Sequence, residues 1–528
     1  MRDHGLGSWT RRRARMTPHR PALVQDGVAT TYAELHTAAT GLAHRLRRRG
    51  VGPGDRVAFL GLNSVELVLA MFATARLGAV FVPVNTRLAV PELAYVLAHS
   101  GPRLLIVEEA LAAPTSAPAV AELGIETHRF TRAAGSGLDR LGEEGRTARP
   151  DGADDPGNPD EIDEEVGLDD LFMIQYTSGT SGRPKGVMLT HGNVIWNVYN
   201  LLVDVDLGSE EVALVTAPLF HTAALNQVLF PTILKGGTAL IEAKFDPVRA
   251  IELIETERVT LLFGVTSMYL ALAAASRFAE ADLDSLRLAL SGGAPIPESL
   301  LRTWLDRGLM IIQGYGLTEA SPGTTMLRAA DGVRKLGTAG TPCFFTDVRV
   351  VRADGRDAGG HDPDQHGAGA EAAAGEPGEV LVSGPNVSPG YWQDPAATER
   401  TFDGPWLHTG DVAIGDDEGY LRIVDRLGDM YISGGENVYP AEVEQALHTH
   451  PAVAECAVIG VPDETWGEVG RAFVVRHEGS ELDAAGLLAH LDGRLARYKL
   501  PRSIVFVSQL PHNASGKLLK SRLREAPR

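Results

Sequence analysis

The 528-residue chain is too long for a single hydrophobic core, so two or more domains are expected. Its 44% hydrophobic and 22% charged residues are ordinary for a globular protein. A formal net charge of −19 excludes non-specific nucleic-acid binding, which needs a basic face, but leaves open anionic nucleotides, which need only local donors.

Arginines crowd the first residues (Arg2, Arg11, Arg12, Arg13, Arg15), but no apolar stretch follows, so they read as a solvated face and not as a secretory signal. Thr31 followed by Glu34 forms a capping box. Leu35, Ala38, Ala39, Leu42, Ala43 and Leu46 then recur at helical spacing until Gly50. A buried strand is expected over 56–60, an apolar helix over 63–77, a strand over 79–82, a helix opening at Pro91 and a strand over 104–107. Such alternation predicts an α/β fold with parallel-rich sheets packed with helices. Residues 151–170 carry ten acids and no base, the pattern of an exposed linker. The longest apolar region, 212–241, is interrupted by His221, Asn226, Pro231 and Lys235, so no stable membrane insertion is expected. Residues 354–375 are low in complexity and read as a surface insertion between two hairpin strands. His361 and His366 within it are read as loop residues and not as metal ligands. Beyond Asp425, a helix from Pro440, strands over 456–461 and 471–476 and a helix over 482–495 make a small α+β unit. Cys343 and Cys456 sit in no metal-like spacing, and two cysteines imply a reducing, cytoplasmic setting.

Chemistry is concentrated in glycine-rich segments. Thr177-Ser178-Gly179-Thr180-Ser181-Gly182-Arg183-Pro184-Lys185-Gly186 combines three glycines, four hydroxyls and two cations, a composition suited to a triphosphate. It lacks the Gly-Lys-Ser/Thr spacing of a Walker loop. Four segments follow it: Ser291-Gly292-Gly293-Ala294-Pro295, Gly314-Tyr315-Gly316-Leu317-Thr318-Glu319, Leu407-His408-Thr409-Gly410-Asp411, and Asp425-Arg426-Leu427-Gly428-Asp429 with Ser433-Gly434-Gly435 just beyond. A last one, Pro511-His512-Asn513-Ala514-Ser515-Gly516-Lys517, lies near the C-terminus. The chain has only seven lysines against 42 arginines, and Lys185 and Lys517 are two of the seven, which marks them as positions needing a compact ammonium.

In order and spacing these segments resemble the adenylate-forming superfamily of acyl- and aryl-CoA synthetases, luciferases and adenylation domains, over about residues 17–523. The stretches 313–321 and 432–444 look most like bacterial fatty-acyl-CoA synthetases. The resemblance implies a large N-terminal ATP- and acyl-binding domain (1–425) that adds a distorted β-barrel to its sheets. It also implies a small mobile α+β C-terminal domain (426–528) hinged near Gly428. The implied reaction joins a small-molecule carboxylic acid, a fatty acid as first choice, to ATP, and then moves the acyl group to CoA.

By the same resemblance, Thr177, Ser178, Gly179, Thr180, Ser181, Gly182 and Lys185 hold the β- and γ-phosphates. Thr318 contacts the α-phosphate and Glu319 binds Mg²⁺, a hard cation suited to carboxylate and phosphate oxygens. Tyr315, between Gly314 and Gly316, stacks on adenine, with Gly292, Gly293, Ala294 and Pro295 as the opposite wall. Asp411 and Arg426 hold the ribose, and Lys517 bridges the acid carboxylate and the α-phosphate.

Amino-acid-activating members of the family that the chain resembles carry an aspartate, paired with the substrate ammonium, in the segment that here runs from Ala217 to Asn226; this chain offers Phe220 and His221 there but no carboxylate, which disfavours an amino-acid substrate. Leu225, Val228, Leu229, Phe263, Met268 and Leu272 are candidate acyl-pocket residues, and His221 is a candidate gate to the thiol tunnel by resemblance. After rotation, Ser433, Gly434 and Gly435 face pantetheine, and Trp466 lies where relatives carry an aromatic near CoA. Gly428 replaces the usual Lys or Asp at the swivel, and glycine tolerates wide φ/ψ changes. The alternatives are an aryl- or cinnamate-type CoA ligase and an enzyme loading a carrier protein. The short 401–406 segment favours CoA, and no carrier domain follows Lys517. A nucleotide sensor without turnover is disfavoured by Lys517, Glu319 and Lys185.

Overall fold

The computed structural model describes residues 4–132, 138, 162, 164–177, 184–293, 296–352, 370–427, 429–433, 436–463, 466–492, 494–495, 497–512 and 518–524. Two large sheets dominate. In the nine-stranded sheet, Leu288–Ser291, Leu261–Gly264, Val212–Val215, Thr238–Ile241 and Pro21–Gln25 run side by side in parallel. Ile311–Gly316 continues the parallel set beside Leu288–Ser291, then pairs antiparallel with Gly323–Met326. The six-stranded sheet is parallel from Glu126–Phe130 to Leu171–Thr177 and ends on the antiparallel strand Lys185–Thr190.

The main core lies between these sheets. Strand side chains alternate, so Ala213, Val215, Leu261 and Phe263 enter it while Leu214 and Leu262 enter a second cluster on the far face. The same alternation sends Val57 and Phe59 inward and Ala58 and Leu60 outward in the six-stranded sheet. The helix Val65–Arg76 is buried at all twelve positions, Glu66, Thr74 and Arg76 included among otherwise apolar residues. The helix Tyr32–Arg48 starts on the Thr31–Glu34 capping box, with both reciprocal bonds made, and Gly50 follows it at φ +77°. The strands read at 79–82 and 104–107 are Val80–Pro83 and Leu104–Glu108, and the third helix is Val90–Ser100.

An antiparallel five-stranded sheet, with Trp406–Gly415 central, supplies the barrel-like element. The hairpin strands Asp347–Val351 and Pro377–Ser383 flank the insertion as expected, while 353–369, with His361 and His366, lie outside the described residues. Most of the acidic stretch 151–170 also lies outside them. The C-terminal sheet joins Tyr431–Ser433, Glu436–Val438, Val453–Asp463, Gly467–Arg476 and Ser503–Phe506. The helices Pro440–His448 and Ala484–Leu491 pack on it through Val443, Leu447, Leu487 and Leu491. Among the described residues, no helix is long and apolar enough to cross a membrane.

Candidate functional site

The site is assembled at the carboxyl ends of the central parallel strands, where the chain leaves a sheet for a loop and helices cannot cover the crevice. Leu288–Ser291 runs out into Gly292 and Gly293, and Gly293 has φ +90°. Next to it Ile311–Gly316 carries Tyr315. A Cβ at Gly292 would lie 3.1 Å from the Gly314 carbonyl oxygen, and one at Gly316 only 1.7 Å from the Pro322 carbonyl oxygen. Glycine at 316 is therefore required by the close approach of the two chain segments. Ala294 and Pro295 lie outside the described residues.

Tyr315 is half-buried against the five-stranded sheet, and its hydroxyl donates to Asp411 Oδ2 at 2.7 Å. Asp411 and Arg426 are direct cross-strand partners, and Arg426 Nε meets Asp411 Oδ1 at 2.9 Å. Both carboxylate oxygens are thus fixed, each with acceptor capacity left for a ligand hydroxyl. Burial, with the Asp411 charge second, pushes the Tyr315 phenol well above its ordinary range, so it stays a donor. Gly410, at φ +67°, turns the strand ahead of Asp411, and its carbonyl accepts from Leu427 N–H at 2.8 Å.

Thr318 and Glu319 occupy one turn of 3₁₀ helix, followed by Ser321 at φ +68°, a left-handed conformation unusual for serine. Buried amides hold this turn. Asn226 Nδ2 donates to the Ser321 carbonyl at 2.7 Å, Asn386 Nδ2 donates to those of Ala320 and Gly323, and Asn197 Oδ1 accepts from Gly323 N–H at 2.9 Å. Glu319 Oε1 accepts from the Tyr391 hydroxyl at 2.8 Å. Sequence reasoning misses Tyr391. Its signal, an aromatic following Gly390, is too common to stand out.

The glycine-rich loop has both stems in place. Thr177 and Lys185 are antiparallel partners at the ends of their strands, whereas Ser178, Gly179, Thr180, Ser181 and Gly182 lie outside the described residues. Tyr176 is held by His99 Nδ1 at 2.8 Å, Gly186 O accepts from Trp392 N–H at 2.7 Å, and the Lys185 ammonium sits 4.7 Å from the centre of the Tyr391 ring.

His221 precedes a π-helical stretch, Leu225–Leu229, a form of helix often found at functional sites. Its ring packs on Phe220, and burial, with Arg87 second, holds its pKa down at about 4, so the imidazole is neutral. Leu225, Val228, Leu229, Phe263 and Met268 share one buried cluster. Leu272, one turn beyond Met268 on the same helix Thr266–Ala274, belongs instead to the cluster on the opposite face of the nine-stranded sheet, apart from the other five. Ser433 is buried in the C-terminal sheet opposite Gly467. Trp466 is 48% exposed and is not a core residue. Gly428, Gly434, Gly435 and Lys517 lie outside the described residues. Among the described residues, no group of three or more His, Cys, Asp or Glu is arranged to hold a metal ion. A lone carboxylate of the Glu319 kind suits Mg²⁺, which is commonly bound by one or two carboxylates together with substrate phosphates.

Residues 10–392 match the family model described as AMP-binding enzyme, and residues 442–517 match AMP-binding enzyme C-terminal domain. A feruloyl-CoA synthase from an Amycolatopsis species is 50% identical over 99% of both chains. The long-chain-fatty-acid–CoA ligase FadD13 of Mycobacterium tuberculosis is 39% identical over 98% of both. Among solved structures, o-succinylbenzoate CoA synthetase of Bacillus subtilis is 32% identical. Its acyl-adenylate complex superposes with a TM-score of 0.85 over 98% of each chain. Its complex with ATP and magnesium ion gives 0.83, over 98% of this chain and 99% of that one.

Proposed function

The chain belongs to the AMP-binding enzyme family, and from that premise we propose an AMP-forming acid–CoA ligase whose acid is an aryl propenoic acid of the hydroxycinnamate class. The observation that carries the choice of acid is the 50% identity, end to end, with a feruloyl-CoA synthase. A fatty acid is the second reading, favoured by the 39% identity with a long-chain ligase. CoA is the acceptor in both.

The first step forms a bond between a carboxylate oxygen and the α-phosphorus of ATP, and pyrophosphate departs. The second forms a thioester between CoA sulfur and the acyl carbon, and AMP departs. Neither step needs a covalent enzyme intermediate, so the protein's work is positioning and electrostatics. Thr177 and Lys185, with residues 178–182, take the β- and γ-phosphates, and Thr318 takes the α-phosphate. Tyr315 stacks on adenine, while Asp411, already anchored by Tyr315 and Arg426, accepts the ribose hydroxyls. Glu319 would hold Mg²⁺, which supplies neutralisation of the phosphate charge. Lys517 steadies the carboxylate against the α-phosphate. His221 stands at the passage from acyl pocket to thiol, where its neutral ring can pack against an apolar acid.

The second step requires a thiol entrance where Lys517 acted. We assign the exchange to rotation of 426–528 against 1–425 about Gly428. The sheet partners support a hinge just beyond Arg426: Leu421–Arg426 pairs with Trp406–Gly415, so Arg426 stays with the large part, whereas Tyr431–Ser433 pairs in the C-terminal sheet. After rotation, residues 433–435 are assigned to the pantetheine path. The cytoplasm, where ATP and CoA are both at hand, is the setting this reaction calls for.

Consumption of CoA thiol with ATP tests the choice of acid over a panel of ferulic, coumaric, benzoic, medium-chain and long-chain acids. Higher kcat/KM for ferulic or coumaric acid, by ten-fold or more, is expected. A preference for long-chain acids would replace the aryl reading with the fatty one. Pyrophosphate release without thioester on every acid would remove CoA as acceptor.

A further inference from the structure

Glu319 and Lys185 lie far apart in sequence and on different elements, yet one side chain touches both. Tyr391 is 6% exposed. Its hydroxyl donates to Glu319 Oε1 at 2.8 Å, and its ring faces the Lys185 ammonium at 4.7 Å. The backbone around it is fixed on several sides. Tyr391 forms a β-bridge with Val187, Met188 N–H donates to Gly390 O at 3.0 Å, and Trp392 N–H donates to Gly186 O at 2.7 Å. Tyr391 N–H itself donates to Thr398 Oγ1 at 3.0 Å. The same strap reaches the Glu319 turn through Ser388, whose N–H donates to Glu319 O at 2.7 Å and whose hydroxyl donates to Met188 O at 2.7 Å.

A buried phenol needs a hydrogen-bond partner. This one spends its hydroxyl on the carboxylate and leaves Glu319 Oε2 outside that bond. A donor on one oxygen fixes the carboxylate rotamer, and an aromatic face steadies an ammonium without neutralising it.

We propose that Tyr391 is a positioning residue that sets the spacing between the metal-binding carboxylate of Glu319 and the phosphate-binding ammonium of Lys185. It thereby fixes the span the Mg²⁺-triphosphate must fit. This inference rests on the reading that Glu319 takes Mg²⁺ and Lys185 takes phosphate.

Three variants of the full chain separate the possibilities: Tyr391→Phe, Tyr391→Leu and Glu319→Gln. Two quantities are measured for each, the Mg²⁺ half-saturation of acid-dependent pyrophosphate release and the affinity for ATP in EDTA by calorimetry. Tyr391→Phe keeps the ring and loses the hydroxyl. Its Mg²⁺ half-saturation should rise about ten-fold, the scale of a hydrogen bond to a charged group, with metal-free ATP affinity unchanged. Tyr391→Leu also loses the ring and should weaken metal-free ATP binding about three-fold or more. A loss of packing alone would leave Tyr391→Phe like the parent in both quantities, and that outcome overturns the proposal. So does an equal loss of metal-free affinity in the Phe and Leu variants. Because Phe fills the same space, its Mg²⁺ response decides the question even if the Leu variant is unstable. If Glu319→Gln moves the Mg²⁺ response and Tyr391→Phe does not, only the Tyr391 role fails. If Glu319→Gln leaves it unmoved, the metal reading of Glu319 fails and takes this proposal with it.

Discussion

At the scale of single residues, the motifs stand out in the sequence as segments, and the roles given to their side chains come from resemblance. Asp411 and Arg426 read there as one ribose-holding pair, and they stand opposite each other on neighbouring strands. Tyr391, Asn197 and Asn226 carry no such signal, because their meaning lies in contacts between segments distant in the chain and not in any local pattern. His191 is another such residue. It is fully buried, and its Nδ1 accepts the Leu6 N–H at 3.0 Å, which ties the N-terminal segment to the helix His191–Asp204. Burial depresses its pKa to about 4, while in the unfolded chain it titrates near about 6.5. Unfolding therefore takes up a proton in that interval: stability is complete above about pH 6.5 and is lost as pH falls toward about 4. One proton amounts to about 1.4 kcal/mol per pH unit. In His191→Asn, whose carbonyl can still accept the Leu6 N–H, urea midpoints should fall less steeply over that window than in the parent. Equal slopes in the two proteins would refute the assignment.

At the scale of elements, the helix His191–Asp204 shows how a sequence read for apolar spacing can miss a polar function. Asn193, Asn197 and Asn200 fall on one face at helical spacing and are all buried. Each binds different segments of the chain. Asn193 donates to the Pro385 and Val387 carbonyls. Asn197 joins Gly323 N–H to the Asn226 carbonyl, and Asn200 joins Phe345 N–H to Thr346 Oγ1. Through Asn197 and Asn226 the π-helical stretch is linked to the turn that carries Thr318 and Glu319. A π-helical turn has no sequence signature comparable to a capping box, which is why Leu225–Leu229 reads only as apolar lining, whereas the Thr31–Glu34 cap is legible at once. Replacing Asn197 by Leu strands the Gly323 N–H and the Asn226 carbonyl in a dry interior, at about 1–3 kcal/mol each. Asn197→Leu should lose about 3 kcal/mol in chemical denaturation and adenylate more slowly. Asn197→Asp keeps the acceptor for Gly323 and should recover part of both. A Leu variant as stable as the parent would deny the stripe this role.

At the scale of the whole molecule, strand–helix alternation reveals the α/β class but not the order of strands. Pro21–Gln25 joins Thr238–Ile241 in the nine-stranded sheet, and no local pattern announces a partner some two hundred residues away. The junction between the large and C-terminal parts is likewise a matter of contacts. Asp425 Oδ2 accepts the Ala441 N–H at 2.9 Å across it, and Oδ1 accepts the Arg426 N–H at 2.7 Å. Lys520, paired with Glu444 at 2.8 Å, faces the same carboxylate. Burial raises the Asp425 pKa to about 6, only partly offset by Lys520 and the two N–H donors, with Glu444 adding to the rise. Ionisation thus costs more in this arrangement than in water, and the arrangement weakens as pH rises from about 4 through 6. Any rotation that frees Asp425 from Ala441 returns the carboxylate to water and is favoured over the same interval. If rotation gates thioester formation, the ratio of thioester formation to pyrophosphate release should climb between about pH 4 and 6 more steeply than CoA thiol ionisation alone dictates, and follow the thiol alone above that interval. Asp425→Asn cannot ionise and should retain only the thiol contribution. Both half-reactions, followed separately in the two proteins across this range, decide the matter: parallel slopes would mean that Asp425 does not bias the rotation.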